Sequence, residues 1–185
     1  MKAFIIHGAY GHPEENWFQW LKAELEKIDF EVFVPKFPTP EGQSLDSWMK
    51  VFSIFEKKLD EETIMIGHSL GPAFILRLLE KIEKPVKSCF FVSGCIDLLG
   101  NEEFDKINRT FVEKEFDWDK IKNNCRKFYI IHSDNDPYVP LKMGKKLSDK
   151  LDGEMDIVRD GGHFNEGAGY TKFPFLLRKI MEDLL

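Results

Sequence analysis

The sequence has no long hydrophobic run and no cluster of basic residues. The first apolar stretch, Ala3–Ile6, reaches His7 after four residues, which is too short for the core of a signal peptide. No other stretch approaches the ~20 apolar residues that a membrane span needs. The net charge is −6, and the lysines and arginines form no patch of the kind that binds nucleic acid. We therefore expect no membrane partner and no nucleic-acid partner.

Cysteine is scarce, and the glycine motif of dinucleotide-binding proteins is missing. Cys89, Cys95 and Cys125 are an odd number of cysteines without C-x-x-C spacing. This usage favours reduced thiols in a cytoplasmic protein over a disulfide framework or a zinc site. No G-x-G-x-x-G follows a predicted strand, so a nucleotide-binding Rossmann protein is not expected. Repeats and linkers are also lacking, and we predict a single domain over residues 1–185.

The chain instead alternates short apolar runs with segments of helical periodicity. Apolar residues at helical spacing predict one helix from Trp17 to Ile28 and another from Leu45 to Leu59, with Ser44 as a helix cap. Such alternation implies right-handed crossovers and a parallel sheet covered by helices on both faces, an α/β fold. Six strands are predicted, at Ala3–Ile6, Glu31–Val34, Thr63–Ile66, Lys87–Val92, Lys127–Ile131 and Glu154–Val158.

The pentapeptide Gly67-His68-Ser69-Leu70-Gly71 lies between the third predicted strand and a helical segment that begins near Pro72. A G-x-S-x-G sequence between a strand and a helix is typical of a nucleophile elbow, a sharp turn that lifts a serine clear of the sheet. Small residues on both sides of Ser69 allow the strained turn, and the helix N-terminus favours developing negative charge. His68 should pack inside the protein. The alternative is that Ser69 is a turn residue in a protein without catalytic turnover.

A serine nucleophile needs a base and an acid that orients the base. The histidines downstream of Ser69 are His132 and His163, and His163 follows two glycines after the sixth predicted strand. Two aspartates, Asp134 and Asp136, follow the fifth strand. The order serine, acid, histidine is that of α/β-hydrolases. Asp136 has the better flanking sequence for the acid, and Asp134 is expected to stabilise the turn.

Further motifs accompany these residues, at Ile5–Gly8, Asn16–Leu21, Phe91–Gly94, Asp134–Pro140 and Gly161–Phe164. Together they resemble the small serine hydrolases of the YdeN and retinoblastoma-binding-protein-nine type, in the α/β-hydrolase superfamily. The resemblance covers nearly the whole chain and implies Ser69 as nucleophile, Asp136 as acid and His163 as base. It also implies a minimal α/β-hydrolase fold, a three-layer α/β/α sandwich with a six-stranded parallel sheet in the order 2-1-3-4-5-6. The Leu-x-Cys-x-Glu peptide associated with retinoblastoma binding is absent, so that partner is not expected.

The superfamily also suggests where an oxyanion would be held. Stabilising a tetrahedral intermediate requires two N–H donors at its oxygen. We assign them to the backbone of Leu70, which follows the nucleophile, and of Ala9, which follows the first strand. Tyr10 is the alternative to Ala9.

The resulting prediction is a serine hydrolase that forms an acyl-enzyme intermediate, a carboxylesterase for small ester substrates with short acyl chains. No metal and no organic cofactor are expected. The alternatives are a serine peptidase or amidase with the same triad, and a non-catalytic protein-interaction module that keeps the fold. A short cap is predicted between Cys95 and about Trp118, and each of its aromatic residues either lines an acyl pocket or packs on the sheet.

Overall fold

Six parallel strands form one sheet in the computed structural model, which describes residues Met1–Leu185. The strand order is 2-1-3-4-5-6, and every neighbouring pair is parallel, as predicted. The strands are β1 (Lys2–Ile6), β2 (Glu31–Phe33), β3 (Thr63–His68), β4 (Val86–Val92), β5 (Cys125–Ser133) and β6 (Glu154–Val158). The helices are α1 (Phe18–Glu26), α2 (Leu45–Phe52), α3 (Gly71–Leu79), α4 (Glu102–Val112), α5 (Trp118–Asn123), α6 (Leu141–Leu151) and α7 (Pro174–Asp183).

The sheet separates two hydrophobic cores. On β1, Phe4 and Ile6 face the larger core, while Ala3 and Ile5 face the smaller one. Helices α2 to α6 cover the larger core, and α1 and α7 cover the smaller. Because both faces are covered, the central strands are continuous apolar runs and do not alternate with polar residues.

The first predicted helix is shorter in the structure. Helix α1 ends at Glu26, and Ile28, which was predicted to lie on its buried face, is 39% exposed beyond it. The backbone turns at Asp29, whose φ is +64°, and the amide of Phe30 bonds back to the carbonyl of Leu25. The helix must end early because β2 begins only a few residues later.

The second predicted helix also changes before its predicted end. Ser44 caps α2 as predicted, since its hydroxyl accepts a hydrogen bond from the amide of Ser47. The α-helix ends at Phe52, and the chain continues as a 3₁₀-helix over Ser53–Lys58.

None of the helices in this fold has the length and apolar character required to cross a lipid bilayer.

Candidate active site

Ser69 occupies a sharp turn between β3 and α3. Its φ is +59°, in the left-handed region that side chains other than glycine rarely adopt. A Cβ at position 67 would lie 2.7 Å from the nitrogen of Pro72, and a Cβ at Gly71 would lie 2.4 Å from the carbonyl oxygen of Ile6. Only glycine fits at these two positions, so the spacing of the pentapeptide has a direct steric cause. The turn has the geometry expected of a nucleophile elbow.

Asp136 and His163 are in direct contact. Nδ1 of His163 lies 2.8 Å from Oδ2 and 3.0 Å from Oδ1 of Asp136. Oδ1 also accepts hydrogen bonds from the amides of Tyr138 and Val139, at 2.9 and 3.0 Å, and Oδ2 accepts one from the hydroxyl of Ser93, at 2.6 Å. The carboxylate is therefore held in one orientation by donors from three directions.

These contacts decide the charge of Asp136. Burial by itself would raise the pKa of this carboxyl, but the hydrogen bond and charge of His163, with the donors from Ser93 and Val139, lower it to about 2. An ionised carboxylate can only accept hydrogen bonds, so Nδ1 of His163 must carry the proton. The other ring nitrogen, Nε2, is then the one available to act as a base.

Ser69 and His163 line the same pocket, whose volume is about 440 Å³. The ring of His163 is hydrogen-bonded to Asp136 and not to the hydroxyl of Ser69. Hydrogen bonds of this kind are often long in the free enzyme and shorten in the complex with substrate. The structure thus brings Ser69 and His163 to one pocket, while Asp136 lies behind the imidazole and is already bonded to it.

Asp134, the alternative acid, has a different role. Its Oδ1 accepts a hydrogen bond from the amide of Asp160, at 2.9 Å, and the neighbouring Asn135 accepts one from the amide of Gly162, at 2.8 Å. Both contacts connect the loop after β5 to the loop that carries His163. No group of three or more histidine, cysteine or carboxylate side chains is arranged to hold a metal ion.

Two other buried histidines support the loops of the site. His68, expected to pack, is 3% exposed and donates a hydrogen bond from Nε2 to the carbonyl of His163, at 2.8 Å. Burial, with the nearby charge of His163, lowers its pKa to about 3. His132 is fully buried and donates from Nε2 to the carbonyl of Val139, at 2.9 Å. Both rings therefore fix the backbone beside the candidate catalytic residues.

His7 holds the loop that follows β1. Its Nδ1 donates to the carbonyl of Gly8, at 2.8 Å, and its Nε2 accepts from the amide of Phe37, at 3.1 Å. One donor and one acceptor require the neutral ring, and burial lowers the pKa of His7 to about 4. A Cβ at Gly8 would lie 2.6 Å from Cβ of Ser69, so this loop passes directly against the serine.

The backbone contacts separate the two alternatives for the oxyanion hole. The amide of Tyr10 donates a hydrogen bond to Oγ1 of Thr39, at 2.6 Å, and is therefore occupied. The amides of Ala9 and Leu70 donate to no other backbone group among the hydrogen bonds of turns and caps. This difference favours Ala9 over Tyr10 as the partner of Leu70.

Ser93 is a residue that the sequence did not mark as functional. It follows β4 with a φ of +48°, and its amide donates to the carbonyl of Ile131 on β5, at 3.0 Å. This conformation aims its hydroxyl at Asp136. The one sequence signal for a role of Ser93 was its position directly after a central parallel strand. The carboxyl ends of parallel strands lie at one edge of the sheet, where Ser69 and His163 also lie.

The predicted cap contains helix α4, and its aromatic residues divide between the two predicted roles. Phe104 lines the pocket with Ser69, and so does Leu99. Phe111 and Phe116 are buried in the larger core, where they contact Trp48 and Trp118 respectively. The sequence pattern was the same for all of them, and tertiary packing separates them.

Comparison with known proteins gives a consistent result. The family model described as serine hydrolase matches residues 3–182. YdeN of Bacillus subtilis is 31% identical over 177 residues, which are 95% of this chain and 92% of that protein. The serine hydrolase RBBP9 of Rattus norvegicus is 30% identical over 186 residues, covering 99% of this chain and 95% of that protein.

Solved structures extend the comparison to the fold. The crystal structure of the ydeN gene product from B. subtilis matches with a TM-score of 0.93 at 29% identity, over 99% of this chain and 98% of that one. Est1E from Butyrivibrio proteoclasticus matches with a TM-score of 0.74 at 18% identity, over 99% of this chain and 88% of that one. At that identity the second match shows a common fold and no more.

Proposed function

This chain belongs to the serine hydrolase family, and we propose that it is a carboxylesterase that uses Ser69, His163 and Asp136 on small ester substrates with short acyl chains. The observation that supports this proposal most directly is the contact between Asp136 and His163, at 2.8 Å, beside the strained turn of Ser69. The fold alone would not support it, because one fold serves many functions.

In the proposed mechanism the hydroxyl of Ser69 attacks the carbonyl carbon of the ester. Nε2 of His163 takes the serine proton and then delivers it to the leaving alcohol. Asp136 keeps the proton of the ring on Nδ1 and stabilises the imidazolium that forms, which its lowered pKa allows. Water, activated by the same ring, then attacks the acyl-enzyme and releases the acid.

The negative charge of the tetrahedral intermediate would be held by the amides of Ala9 and Leu70. Each donor of this kind is worth about 10²–10³-fold in rate in enzymes where one has been removed. The start of α3 lies directly after Leu70 and adds a favourable electrostatic potential at the same place. None of these steps needs a metal or an organic cofactor.

A labelling experiment tests the nucleophile. A fluorophosphonate should modify the protein once, at Ser69, because only this serine would be activated by a base. The variant Ser69→Ala should lose both the labelling and about 10⁴-fold or more of kcat on p-nitrophenyl butyrate. Ser53→Ala, which removes an exposed serine after α2, is the matched control and should keep both.

The possible results separate the predicted alternatives. Labelling that persists in Ser69→Ala would contradict the assignment of the nucleophile. Labelling without hydrolysis of any ester, together with cleavage of aminoacyl amides, would favour the peptidase or amidase. A protein that is neither labelled nor active would favour the non-catalytic interaction module.

The short cap leads to a prediction about acyl length. The pocket is open to solvent at Tyr10 and Tyr138, which are 42% and 50% exposed, so only the first methylenes of an acyl chain are enclosed, and each of them contributes about 0.8 kcal/mol. Further carbons would extend into water and contribute nothing to the transition state. We expect kcat/KM in a series of p-nitrophenyl esters to peak at about two to six acyl carbons. A maximum at ten carbons or more, measured with monomeric substrate, would contradict this.

The compartment of the protein is also a proposal. Cys89, Cys95 and Cys125 are free and buried, and the sulfurs of Cys89 and Cys125 lie 3.5 Å apart without a bond. An odd number of cysteines without C-x-x-C spacing is typical of proteins whose thiols stay reduced, which supports the cytoplasm. If the protein is denatured in the presence of an alkylating agent, mass spectrometry should find all three cysteines alkylated, and a disulfide between Cys89 and Cys125 would oppose the proposal.

A further inference from the structure

We propose that the pocket beside Ser69 selects substrates with a positively charged group, such as esters of a quaternary ammonium alcohol, and holds that group among Tyr10, Phe104 and Tyr138. The inference rests on the proposed esterase function and adds the charge of the substrate to it. Three features of the pocket lead to it. They are an arc of aromatic rings, two carboxylates without a lysine or arginine among the lining residues, and the strained backbone of Tyr10.

The aromatic arc runs along one side of the pocket. The rings of Tyr10 and Phe104 meet edge to face with 5.7 Å between centroids, and Phe104 lies 6.3 Å from Tyr138. The ring of Tyr138 in turn lies 5.1 Å from that of His163, so the arc ends at the candidate base. Tyr10 is 42% exposed and Tyr138 is 50% exposed, although both are large apolar side chains. The negative faces of such rings attract cations, and quaternary ammonium groups above all.

The charged residues that line the pocket favour the same ligand. Glu15 and Glu103 line it, and no lysine or arginine does. One oxygen of Glu103 accepts a hydrogen bond from the hydroxyl of Tyr10, at 2.7 Å, which also increases the electron density of that ring. The carboxylate of Glu15 is 23% exposed, its ion-pair partner is His12 at 3.9 Å, and burial raises its pKa. Glu103 has no ion-pair partner of its own, so a cation in the pocket would pair with its carboxylate and would also be attracted by that of Glu15.

Tyr10 itself is held in a strained conformation. Its φ is +59°, which is unusual for a bulky residue and persists only where the surrounding structure enforces it. Both ends of the residue are fixed, the amide by Thr39 and the hydroxyl by Glu103. Residues strained in this way cluster at ligand clamps and active sites. A fixed ring at the pocket also binds a ligand without the entropy cost of ordering a side chain.

A helix-capping role explains only part of this arrangement. Glu103 lies in the first turn of α4, where a carboxylate stabilises the helix dipole. Glu102 and Asp105 lie in the same turn and serve the dipole equally well, but neither lines the pocket. The dipole therefore accounts for the charge of Glu103 and not for its contact with Tyr10.

The test compares two substrates that differ in charge and not in shape. Butyrylcholine and 3,3-dimethylbutyl butyrate have the same acyl group, and a quaternary nitrogen in the first replaces a carbon in the second. We expect kcat/KM to be roughly tenfold higher for butyrylcholine at low ionic strength, from the rings and the carboxylates together. The preference should decrease in 0.5 M salt, because salt screens exposed charges.

Two variants and a matched control assign the preference to residues. Glu103→Gln and Tyr10→Leu should each reduce the ratio of the two kcat/KM values by about threefold. Glu102→Gln removes the same charge from the adjacent position of α4, outside the pocket, and should leave the ratio unchanged. Equal reductions by Glu102→Gln and Glu103→Gln would mean that only the overall charge matters, which would overturn the proposed site.

The outcomes for this inference and for the proposed function are distinct. Hydrolysis of both esters with a ratio near one would overturn the charge preference and leave the esterase intact. If neither these two esters nor p-nitrophenyl butyrate is hydrolysed, the proposed function fails. Choline and its neutral analogue 3,3-dimethylbutan-1-ol are then compared as ligands by NMR titration. Tighter binding of choline by several-fold supports the cation site, and equal or no binding of the two overturns it.

Discussion

At the residue scale, two aspartates separated by one residue have entirely different partners. Asp136 bonds to His163, whereas Asp134 bonds to the amide of Asp160. Both are short carboxylates after the same strand, and the sequence alone favoured one of them only through its flanking residues. The contact with the imidazole is the property that a substitution can test.

We expect Asp136→Asn to lower kcat by roughly 10⁴-fold while the protein remains folded. The amide group can donate to Nδ1 of His163, which moves the ring proton to Nε2 and removes the base. Asp134→Asn keeps an oxygen that accepts from Asp160 and should cost less than about tenfold. Steady-state kinetics on p-nitrophenyl butyrate, with circular dichroism as a folding check, would measure both. A larger loss for Asp134→Asn would reverse the assignment.

At the element scale, one arginine attaches the cap to the rest of the protein. Arg77 on α3 is 3% exposed, and its guanidinium donates to the carbonyls of Phe111, Lys114 and Glu115. It also pairs with Glu80, at 3.0 Å, and lies 3.8 Å above the ring of Phe116. These carbonyls belong to the last turn of α4 and to the residues after it. Carbonyl groups at the end of a helix have no amide donor within the helix, and Arg77 supplies the donors. The first turn of α4 carries Glu103 and Phe104, which line the pocket.

We expect Arg77→Lys to lower the free energy of unfolding by about 3 kcal/mol, because an ammonium cannot reach three carbonyls and a carboxylate together. KM should rise as well, since α4 would lose its fixed position over the pocket. Urea denaturation and steady-state kinetics provide the two measurements.

The control for this change is Arg109→Lys. Arg109 is 57% exposed and pairs with Glu113 at the surface of α4, at 3.5 Å, so its substitution should change stability by less than about 0.5 kcal/mol. Similar effects of the two substitutions would show that Arg77 does not hold the cap.

At the scale of the whole molecule, buried neutral histidines make stability depend on pH. The pKa of His7 is lowered to about 4 and that of His68 to about 3, in both cases chiefly by burial, and burial also lowers the pKa of His132. In the unfolded chain these groups would titrate near 6.5. Below that pH the unfolded state binds protons that the folded state does not, so stability decreases as the pH falls.

Above about pH 6.5 we expect these histidines to leave the free energy of unfolding unchanged. Between pH 6.5 and 5 we expect the free energy of unfolding to fall. The slope should reach about 1.4 kcal/mol per pH unit for each buried histidine. Urea denaturation at several pH values measures it. His68→Gln removes one buried histidine and should reduce the slope by about 1.4 kcal/mol per pH unit. His12 is exposed, so His12→Gln should leave the slope unchanged. A flat profile between pH 6.5 and 5 would contradict the prediction.

The sequence by itself determined the fold and the candidate catalytic residues. Ser69, Asp136 and His163 each follow a predicted strand, and the carboxyl ends of parallel strands meet at one edge of a sheet. Strand positions could be predicted because the central strands are continuous apolar runs. The turn of Ser69 could be predicted because only glycine fits at positions 67 and 71. These properties depend on short segments and on steric rules that hold for any chain.

The tertiary structure decided what depends on residues distant in the sequence. Periodicity extended the first helix to Ile28, but the position of β2 ends it at Glu26, because the chain must turn before the strand. Thr39 occupies the amide of Tyr10, and Ser93 reaches Asp136 from another strand. A local pattern records the polarity of a residue and not the partner that folding brings to it, so these contacts could be identified only in the folded chain.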